Sequence, residues 1–278
     1  MKNLFSGVLL ALIVLAADPS FAQLITPASS PKATLSQNVG VSEVVVTWSR
    51  PAVKGRKIWG GLVPYGQMWR AGANANTTIK FSDPVTINGK ELPAATYGFH
   101  TIPGEKEWTL ILSKDNNLNG SYGYKQENDA MRLTAVPVVT ADHTERLAFD
   151  VAELTDSTAE ISLSWEKLKV SFTVQFKTRD LIKERVNKNF SANTPLSYAS
   201  YIFNNGMDLN EALNWIDKSI GVQESYWNVR MKARILEKMG KKGDAVMFME
   251  KAIRMGEAMK PAPFDFEDMK KLLAEWKK

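Results

Sequence analysis

The sequence predicts an α+β protein in which the two kinds of secondary structure are segregated along the chain. An N-terminal all-β sandwich, jelly-roll-like, is followed by C-terminal α-helical hairpins. Up to about residue 178, apolar and polar residues alternate with the period of two that is typical of a strand with one buried face. After Arg179 the apolar spacing becomes helical. The composition, 44% hydrophobic and 23% charged, is that of a globular protein with a packed core.

Alternating apolar residues mark the predicted strands, and their spacing indicates about nine or ten strands in all. The dipeptide Asn88-Gly89 stands between two short apolar runs and predicts a tight hairpin. The clearest inward-facing sets are Val44, Val46 and Trp48; Ile79 and Phe81; Trp108, Leu110 and Leu112; Leu147, Phe149 and Val151; Ile161, Leu163 and Trp165; and Val170, Phe172, Val174 and Phe176.

Helical periodicity begins with a face formed by Leu181, Ile182, Val186 and Phe190. A pattern of small and large residues that starts at Leu196 then recurs thirty-three residues later, at Val229. This period is typical of tetratricopeptide repeats, although only two units are readable, fewer than a free-standing solenoid needs. A last helix over 265–277 can cap the two units, and a small helical bundle packed on the sandwich is the alternative.

The first 22 residues have the features of a signal peptide. Lys2 is followed by the apolar run 8–17, and Ser20-Phe21-Ala22 supplies small residues where a signal peptidase cleaves. We therefore expect a signal peptide over 1–22, a β domain over 23–178 and a helical domain over 179–278. The mature protein is expected to be periplasmic or secreted after cleavage near Ala22. The chain has no cysteine, so we expect no lipid anchor and no disulfide.

The stretch between Val44 and Phe81 has an unusual charge distribution. It contains six basic residues and no Asp or Glu: Arg50, Lys54, Arg56, Lys57, Arg70 and Lys80. Such a cluster faces water, pairs with distant carboxylates or binds an anion. The net charge of the whole chain is only +5, well short of a dedicated nucleic-acid-binding protein, and export also argues against nucleic acid as a partner.

We assign the candidate ligand-binding residues to this stretch. Guanidinium groups match carboxylate and phosphate geometry, indole rings offer flat stacking faces, and amides add hydrogen bonds. These residue types suit an anionic small molecule or a glycan. The alternative is structural: Trp69 belongs to the core and Arg70 pairs with a buried carboxylate. The candidates are Arg50, Lys54, Arg56, Trp59, Trp69, Arg70, Asn74 and Asn76.

The segment from Ser49 to Thr77, SRPAVKGRKIWGGLVPYGQMWRAGANANT, resembles the hallmark stretch of the domain of unknown function 2911 family. The blocks LPAATY at 92–97, TIPG at 101–104 and Glu107-Trp108 are similar to later blocks of that family, and the likeness covers roughly residues 28 to 178. The resemblance implies an exported bacterial domain, often followed by tetratricopeptide-like helices, with no assigned activity. Ala95 and His100 depart from the family pattern.

Two further motifs are considered as metal sites. Asp115-Asn-Asn-Leu-Asn-Gly120 begins like a calcium loop, but Gln126 stands where a bidentate Glu belongs. We favour a strand connection there, with a weak calcium site of Asp115, Asn117 and Asn119 as the alternative. His100 and His143 are the only histidines, and their spacing does not indicate zinc.

The function expected from the sequence is that of an exported binding or interaction protein, with a protein partner docking on the helices. We assign no catalytic residue, cofactor or metal. One alternative is a periplasmic enzyme acting on glycans through carboxylates such as Glu105, Glu107 or Asp150. The other is a structural envelope component whose basic residues pair with its own acidic residues.

Overall fold

The computed structural model describes residues 26–278, so the predicted signal peptide lies outside the described residues. Within them, ten strands precede six helices, which confirms the predicted fold class. The strands are β1 (Lys32–Val39), β2 (Ser42–Ser49), β3 (Thr77–Phe81), β4 (Val85–Ile87), β5 (Lys90–Leu92), β6 (Thr96–Ile102), β7 (Trp108–Ser113), β8 (Asp129–Ala135), β9 (Val138–Ala152) and β10 (Thr158–Phe176). The helices are α1 (Thr178–Lys188), α2 (Asn193–Asn204), α3 (Leu209–Val222), α4 (Tyr226–Lys238), α5 (Lys242–Glu257) and α6 (Phe266–Trp276).

Two antiparallel sheets form a sandwich around one hydrophobic core. The six-stranded sheet has the order β1-β2-β3-β6-β7-β8, and the four-stranded sheet has the order β5-β4-β10-β9. Phe99 of the first sheet contacts Phe149 and Phe172 of the second, with ring centroids 5.8 and 6.0 Å apart. The inward-facing residues predicted from the alternation are buried in this core.

The strand β10 differs from the prediction. The sequence shows two alternating sets, ending at Trp165 and starting at Val170, and both belong to one strand of 19 residues. Glu166 adopts a positive φ of 56° between them, and the pairing with β9 shifts on both sides of it. As a result, the inward-facing residues of β10 have odd numbers before Glu166 and even numbers after it. Trp165 lies directly before this irregularity and is only 1% exposed.

The hairpin between β4 and β5 is the one predicted from Asn88-Gly89. Both residues have positive φ, 49° and 76°, as a two-residue turn of type I′ requires.

The helices pack as successive hairpins, with small residues where their axes come close. Ala199 and Ala212 are fully buried between α2 and α3, and Ala233 and Ala245 are fully buried between α4 and α5. Phe190 contradicts the predicted helix face, because it follows the end of α1 and is 48% exposed. The likeness to tetratricopeptide repeats stays a prediction. No helix in residues 26–278 is long and apolar enough to cross a bilayer.

The first helix is tied to the sandwich by polar contacts. The Thr178 hydroxyl donates to the Asp156 carbonyl at 2.7 Å, and Arg185 pairs with Asp83 at 3.0 Å. Burial raises the pKa of the Asp83 carboxyl, but hydrogen bonds from the Ser82 hydroxyl and from Arg185 outweigh this and hold it below its usual value. The domain boundary at 178 stays a prediction; β10 ends at Phe176 and α1 begins two residues later.

A glycine on β6 determines how closely the segment 115–120 approaches the outer face of the six-stranded sheet. A Cβ on Gly98 would lie 2.1 Å from the Asp115 carbonyl oxygen and 2.7 Å from the Asn76 side-chain nitrogen. The segment therefore lies directly on the backbone of β6.

We expect Gly98→Ala to destabilise the protein by about 1–3 kcal/mol, because the added methyl group must displace backbone rather than a flexible side chain. Denaturant unfolding followed by tryptophan fluorescence measures the loss. Gly221→Ala is the matched control: its Cβ would find nothing within 4 Å, so stability should be unchanged or slightly higher. Equal stabilities for the two variants would contradict the close approach at Gly98.

Candidate functional site

The basic residues of the acid-free stretch are not neutralised by the protein. Within residues 26–278, none of the six forms an ion pair, although thirteen ion pairs between Lys or Arg and a carboxylate occur elsewhere in this part of the chain. Such a cluster is unusual, because its charges repel one another without local compensation.

Three of these cations line an open cleft of about 800 Å³ on the β-sandwich. They are Lys54, Arg56 and Arg70, and the described residues that line the cleft include no Asp or Glu. The remaining lining combines apolar and uncharged polar groups, among them Leu62, Met68, Trp69, Trp165, Gln67, Ser29, Ser30, Ser121 and Tyr122. The volume lies within the range of small-molecule sites, roughly 300–1,000 Å³.

A cluster of four tryptophans supports the cleft from below. Trp69 stacks on Trp165 with centroids 5.8 Å apart and an angle of 16° between the rings. Trp59 meets both of these rings edge-on, at 5.8 and 5.9 Å, and meets Trp108 at 4.8 Å. Trp59 is only 7% exposed, so it belongs to the core beneath the cleft.

Trp69 is fixed in place by its backbone as well as by stacking. Its backbone N–H and carbonyl exchange two 2.8 Å hydrogen bonds with Thr101, and its indole N–H donates to the Gly72 carbonyl at 3.2 Å. Because Trp69 is half-buried and lines the cleft, it presents a rigid aromatic surface there.

Arg70 lines the cleft together with Trp69, and its guanidinium group forms no ion pair within residues 26–278. Its Nε is buried and has no hydrogen-bond partner within the described residues. Gly120 makes room for the guanidinium, because a Cβ there would lie 2.5 Å from Nη1. Because Nε is out of contact with solvent, a ligand in the cleft would accept from the terminal nitrogens of the guanidinium instead.

Lys54 and Arg56 lie on the turn that forms another wall of the cleft. The Arg56 guanidinium donates to the backbone carbonyls of Val53 and Ala52, which orients its fork. The Lys54 backbone N–H donates to Glu145 at 3.0 Å. This bond, together with one from His143, lowers the pKa of the Glu145 carboxyl. The turn is thus anchored through hydrogen bonds to main-chain groups. The Lys54 ammonium group and the Nη1 end of the Arg56 guanidinium, which takes no part in these bonds, remain available.

Of the eight candidate residues, Lys54, Arg56, Trp69 and Arg70 line the cleft, and the other four do not. Arg50 donates through Nε to the Leu147 carbonyl at 3.2 Å. Asn74 donates to the Ser30 carbonyl at 3.3 Å, and the buried Asn76 donates to the Asp115 carbonyl at 3.3 Å. Together with Trp59, these residues shape the surroundings of the cleft.

Sequence reasoning missed Trp165 and Tyr122 as residues of the cleft. In the sequence, Trp165 has the pattern of an ordinary inward-facing strand residue. The only local indication that it differs is the change from odd-numbered to even-numbered inward-facing residues directly after it. Tyr122 is 85% exposed and lies in the Gly-rich connection after β7. An exposed tyrosine in such a loop carries no local signal of function.

The metal-site alternative at 115–119 has no additional support. Asp115 accepts a 2.8 Å hydrogen bond from the Asn128 side chain, while Asn117 and Asn119 are exposed. In the described part of the chain, no group of three His, Cys, Asp or Glu residues is placed to hold a metal. The weak calcium site stays a prediction.

His100 lies beneath the connection after β7 and is fully buried. Neither ring nitrogen has a hydrogen-bond partner within residues 26–278, and the ring lies 5.4 Å from the ring of Tyr124. The charged groups facing it are Asp115 and Asp129; Asp129 accepts from Tyr124 and pairs with Arg132. Burial lowers the pKa of His100, and the two carboxylates oppose this only in part.

Comparison with known families gives one match. A family model described as "Protein of unknown function (DUF2911)" matches residues 30–174, which is more than half of the chain and covers the β-sandwich. Comparison with curated proteins and with solved structures found no match.

We expect the stability of the protein to fall as pH drops below about 6.5, the ordinary pKa of histidine. The folded state holds His100 neutral, so the unfolded chain binds more protons below that pH, and stability decreases until the lower folded pKa is reached. Thermal unfolding, measured above the pH at which carboxyl groups titrate, should show this slope in the native protein.

The slope should disappear in His100→Gln and persist in His143→Gln. His143 is the matched control, because it is exposed and is the only other histidine. A slope retained in His100→Gln would show that another group is responsible.

Proposed function

We propose a binding function for this chain, which belongs to the family described as Protein of unknown function (DUF2911). The family description assigns no activity, so the proposal rests on the cleft. The protein is proposed to bind an anionic, sugar-like small molecule there, in the periplasm or outside the cell. The exported location rests on the sequence of residues 1–22 alone.

One observation carries the proposal: the cleft gathers three cations without a single carboxylate in its described lining. Two of the three are arginines, whose planar guanidinium groups donate paired hydrogen bonds to the oxygens of carboxylate, phosphate or sulfate. A cleft lined by one sign of charge also raises the local concentration of ligands of the opposite sign. An anion is therefore the ligand that this lining favours.

The aromatic component favours a ligand with a flat apolar face next to the charge. Trp69 is held by stacking on Trp165 and by its hydrogen bonds to Thr101, so it loses little conformational entropy when a ring packs against it. The serine, glutamine and tyrosine side chains of the lining supply hydroxyl and amide partners. A sugar with an acidic group has the negative charge, the flat apolar face and the hydroxyl groups that this lining favours.

The two alternative functions receive less support from this site. The usual glycosidase mechanism uses a pair of carboxyl groups across the scissile bond. Glu105, Glu107 and Asp150 are all exposed, and none of them lines the cleft. The structural alternative needs basic residues consumed by internal carboxylates, and no ion pair of that kind involves Arg50, Lys54 or Arg70 within the described residues.

The helices are proposed to dock a protein partner. The observation that favours this is Phe264, which is 89% exposed and stacks on Trp227 at 5.6 Å. Aromatic residues of this kind are enriched in protein–protein interfaces.

We expect Arg70→Ala to weaken binding of a galacturonic acid oligosaccharide by about ten- to a hundredfold. That is the cost of losing one charge-assisted hydrogen bond, about 1.5–3 kcal/mol. Titration calorimetry on the mature protein measures the dissociation constant. The native protein should also bind the uncharged galactose oligosaccharide much more weakly, because the three cations then lack a partner.

Lys57→Ala is the matched control. Lys57 is exposed and lies on the same turn as Lys54 and Arg56, but it does not line the cleft. An equal loss of affinity in Lys57→Ala would indicate a general charge effect. Equal affinity for the charged and uncharged oligosaccharides would overturn the assignment of the cleft as an anion site.

A further inference from the structure

A second depression, here called the polar groove, lies beside the cleft. It has a volume of about 240 Å³ and lies on the outer face of the six-stranded sheet, where β1, β2 and β3 meet the segment after β7. Its polar lining is formed by Lys32, Thr47, Ser49, Asn76, Thr78, Asn116 and Asn117. Trp48, Ala75 and Leu118 add apolar surface to these hydroxyl, amide and ammonium groups, and the described lining contains no carboxylate.

The polar groove and the cleft share a rim. In four separate segments of the chain, a residue that lines one depression is followed two or three positions later by a residue that lines the other. Two or three residues span at most about 7–11 Å. The four segments run from Ser30 to Lys32, from Ser49 to Pro51, from Ala73 to Ala75 and from Leu118 to Ser121. The two depressions are therefore adjacent parts of one concave surface.

The rim explains the positions of two candidate residues that do not line the cleft. Arg50 and Asn74 both lie between a residue of the cleft and a residue of the polar groove. The Arg50 backbone N–H donates to Pro31 at 2.9 Å, and the Asn74 side chain donates to the neighbouring Ser30 carbonyl at 3.3 Å. These hydrogen bonds hold the rim segments together.

Two threonines of the polar groove belong to a row of three threonines that runs across neighbouring strands of the sheet. Thr34, Thr47 and Thr78 are register partners on β1, β2 and β3, and the first two hydroxyls lie 3.2 Å apart. Their strand positions alternate with buried residues on β2 and β3 and with partly buried residues on β1, so all three face outward. Hydroxyls donate and accept, which suits the hydroxyls of a sugar better than an isolated charge.

We propose that the polar groove is a second subsite of the same binding site, and that the ligand is an acidic oligosaccharide. Its charged sugar unit occupies the cleft, and an adjoining unit crosses the rim and lies on the hydroxyl and amide groups of the polar groove. This inference rests on the proposed function, because it assumes that the cleft binds an acidic sugar. It adds that the ligand is extended and that the groove selects for chain length.

The test is a chain-length series in two forms of acidic sugar. Titration calorimetry on the mature protein compares galacturonic acid with its oligomers of increasing length, and a sulfated oligosaccharide series distinguishes carboxylate from sulfate as the anion. In the native protein we expect affinity to rise by about tenfold or more from the monosaccharide to oligomers that reach both subsites.

Thr78→Trp fills the polar groove and should abolish this gain with length, while binding of the monosaccharide stays unchanged. Asn117→Trp fills the groove from an exposed loop position and should act in the same way, which covers the case that the strand variant folds poorly. Lys80→Trp is the control, because Lys80 also faces outward on the same strand as Thr78 but lies outside the groove. In this variant the rise in affinity with chain length should persist.

The binding data distinguish a failure of the second subsite from a failure of the cleft site. If affinity does not rise with length, or if the rise survives in both groove variants, the second subsite is overturned and the cleft site stands. If neither the monosaccharides nor the oligomers of either series bind the native protein, the cleft site itself is overturned, and the second subsite with it.

Discussion

The stack of Trp69 on Trp165 is the contact on which the site depends. Trp165 belongs to the four-stranded sheet, Trp108 to the six-stranded sheet, and Trp59 and Trp69 to the loop between β2 and β3. The four rings therefore join the loop to both layers of the sandwich. Aromatic pairs contribute about 0.5–1.5 kcal/mol each beyond the burial of their area. This is sufficient to hold in one conformation a loop that has little regular structure of its own.

The cluster also explains how three uncompensated cations can be held near one another. Repulsion between Lys54, Arg56 and Arg70 favours an open loop, and the indoles oppose it by apolar burial. The indole N–H groups of Trp59, Trp108 and Trp165 have no partner within the described residues, so packing holds these three rings, whereas Trp69 is also held by hydrogen bonds to Gly72 and Thr101. An anionic ligand would remove the repulsion, and binding to the folded state alone would add to stability by mass action.

The sequence was sufficient to predict a part rich in strands followed by a helical part, because alternation and helical spacing are local properties. It also located the stretch that carries the site, since an excess of one charge is visible without a structure. It could not separate Trp59 from Trp69: both are tryptophans in the same loop, and only the sheets beneath them place one ring in the core and the other at the cleft. Trp165 was missed for the same reason, because it lies 95 residues beyond Arg70 in the chain.

The segment 115–121 links the two depressions, and two glycine contacts fix it. Gly98 allows Asp115 to rest on β6, and Gly120, with φ at +78°, allows the Arg70 guanidinium to approach its backbone. Between these contacts the backbone of Asn76 donates to Leu118 at 3.0 Å, so the segment is also paired with the loop that carries the cations. Asn116, Asn117 and Leu118 line the polar groove, and Ser121 and Tyr122 line the cleft. A displacement of this segment at either glycine would therefore change one wall of each depression.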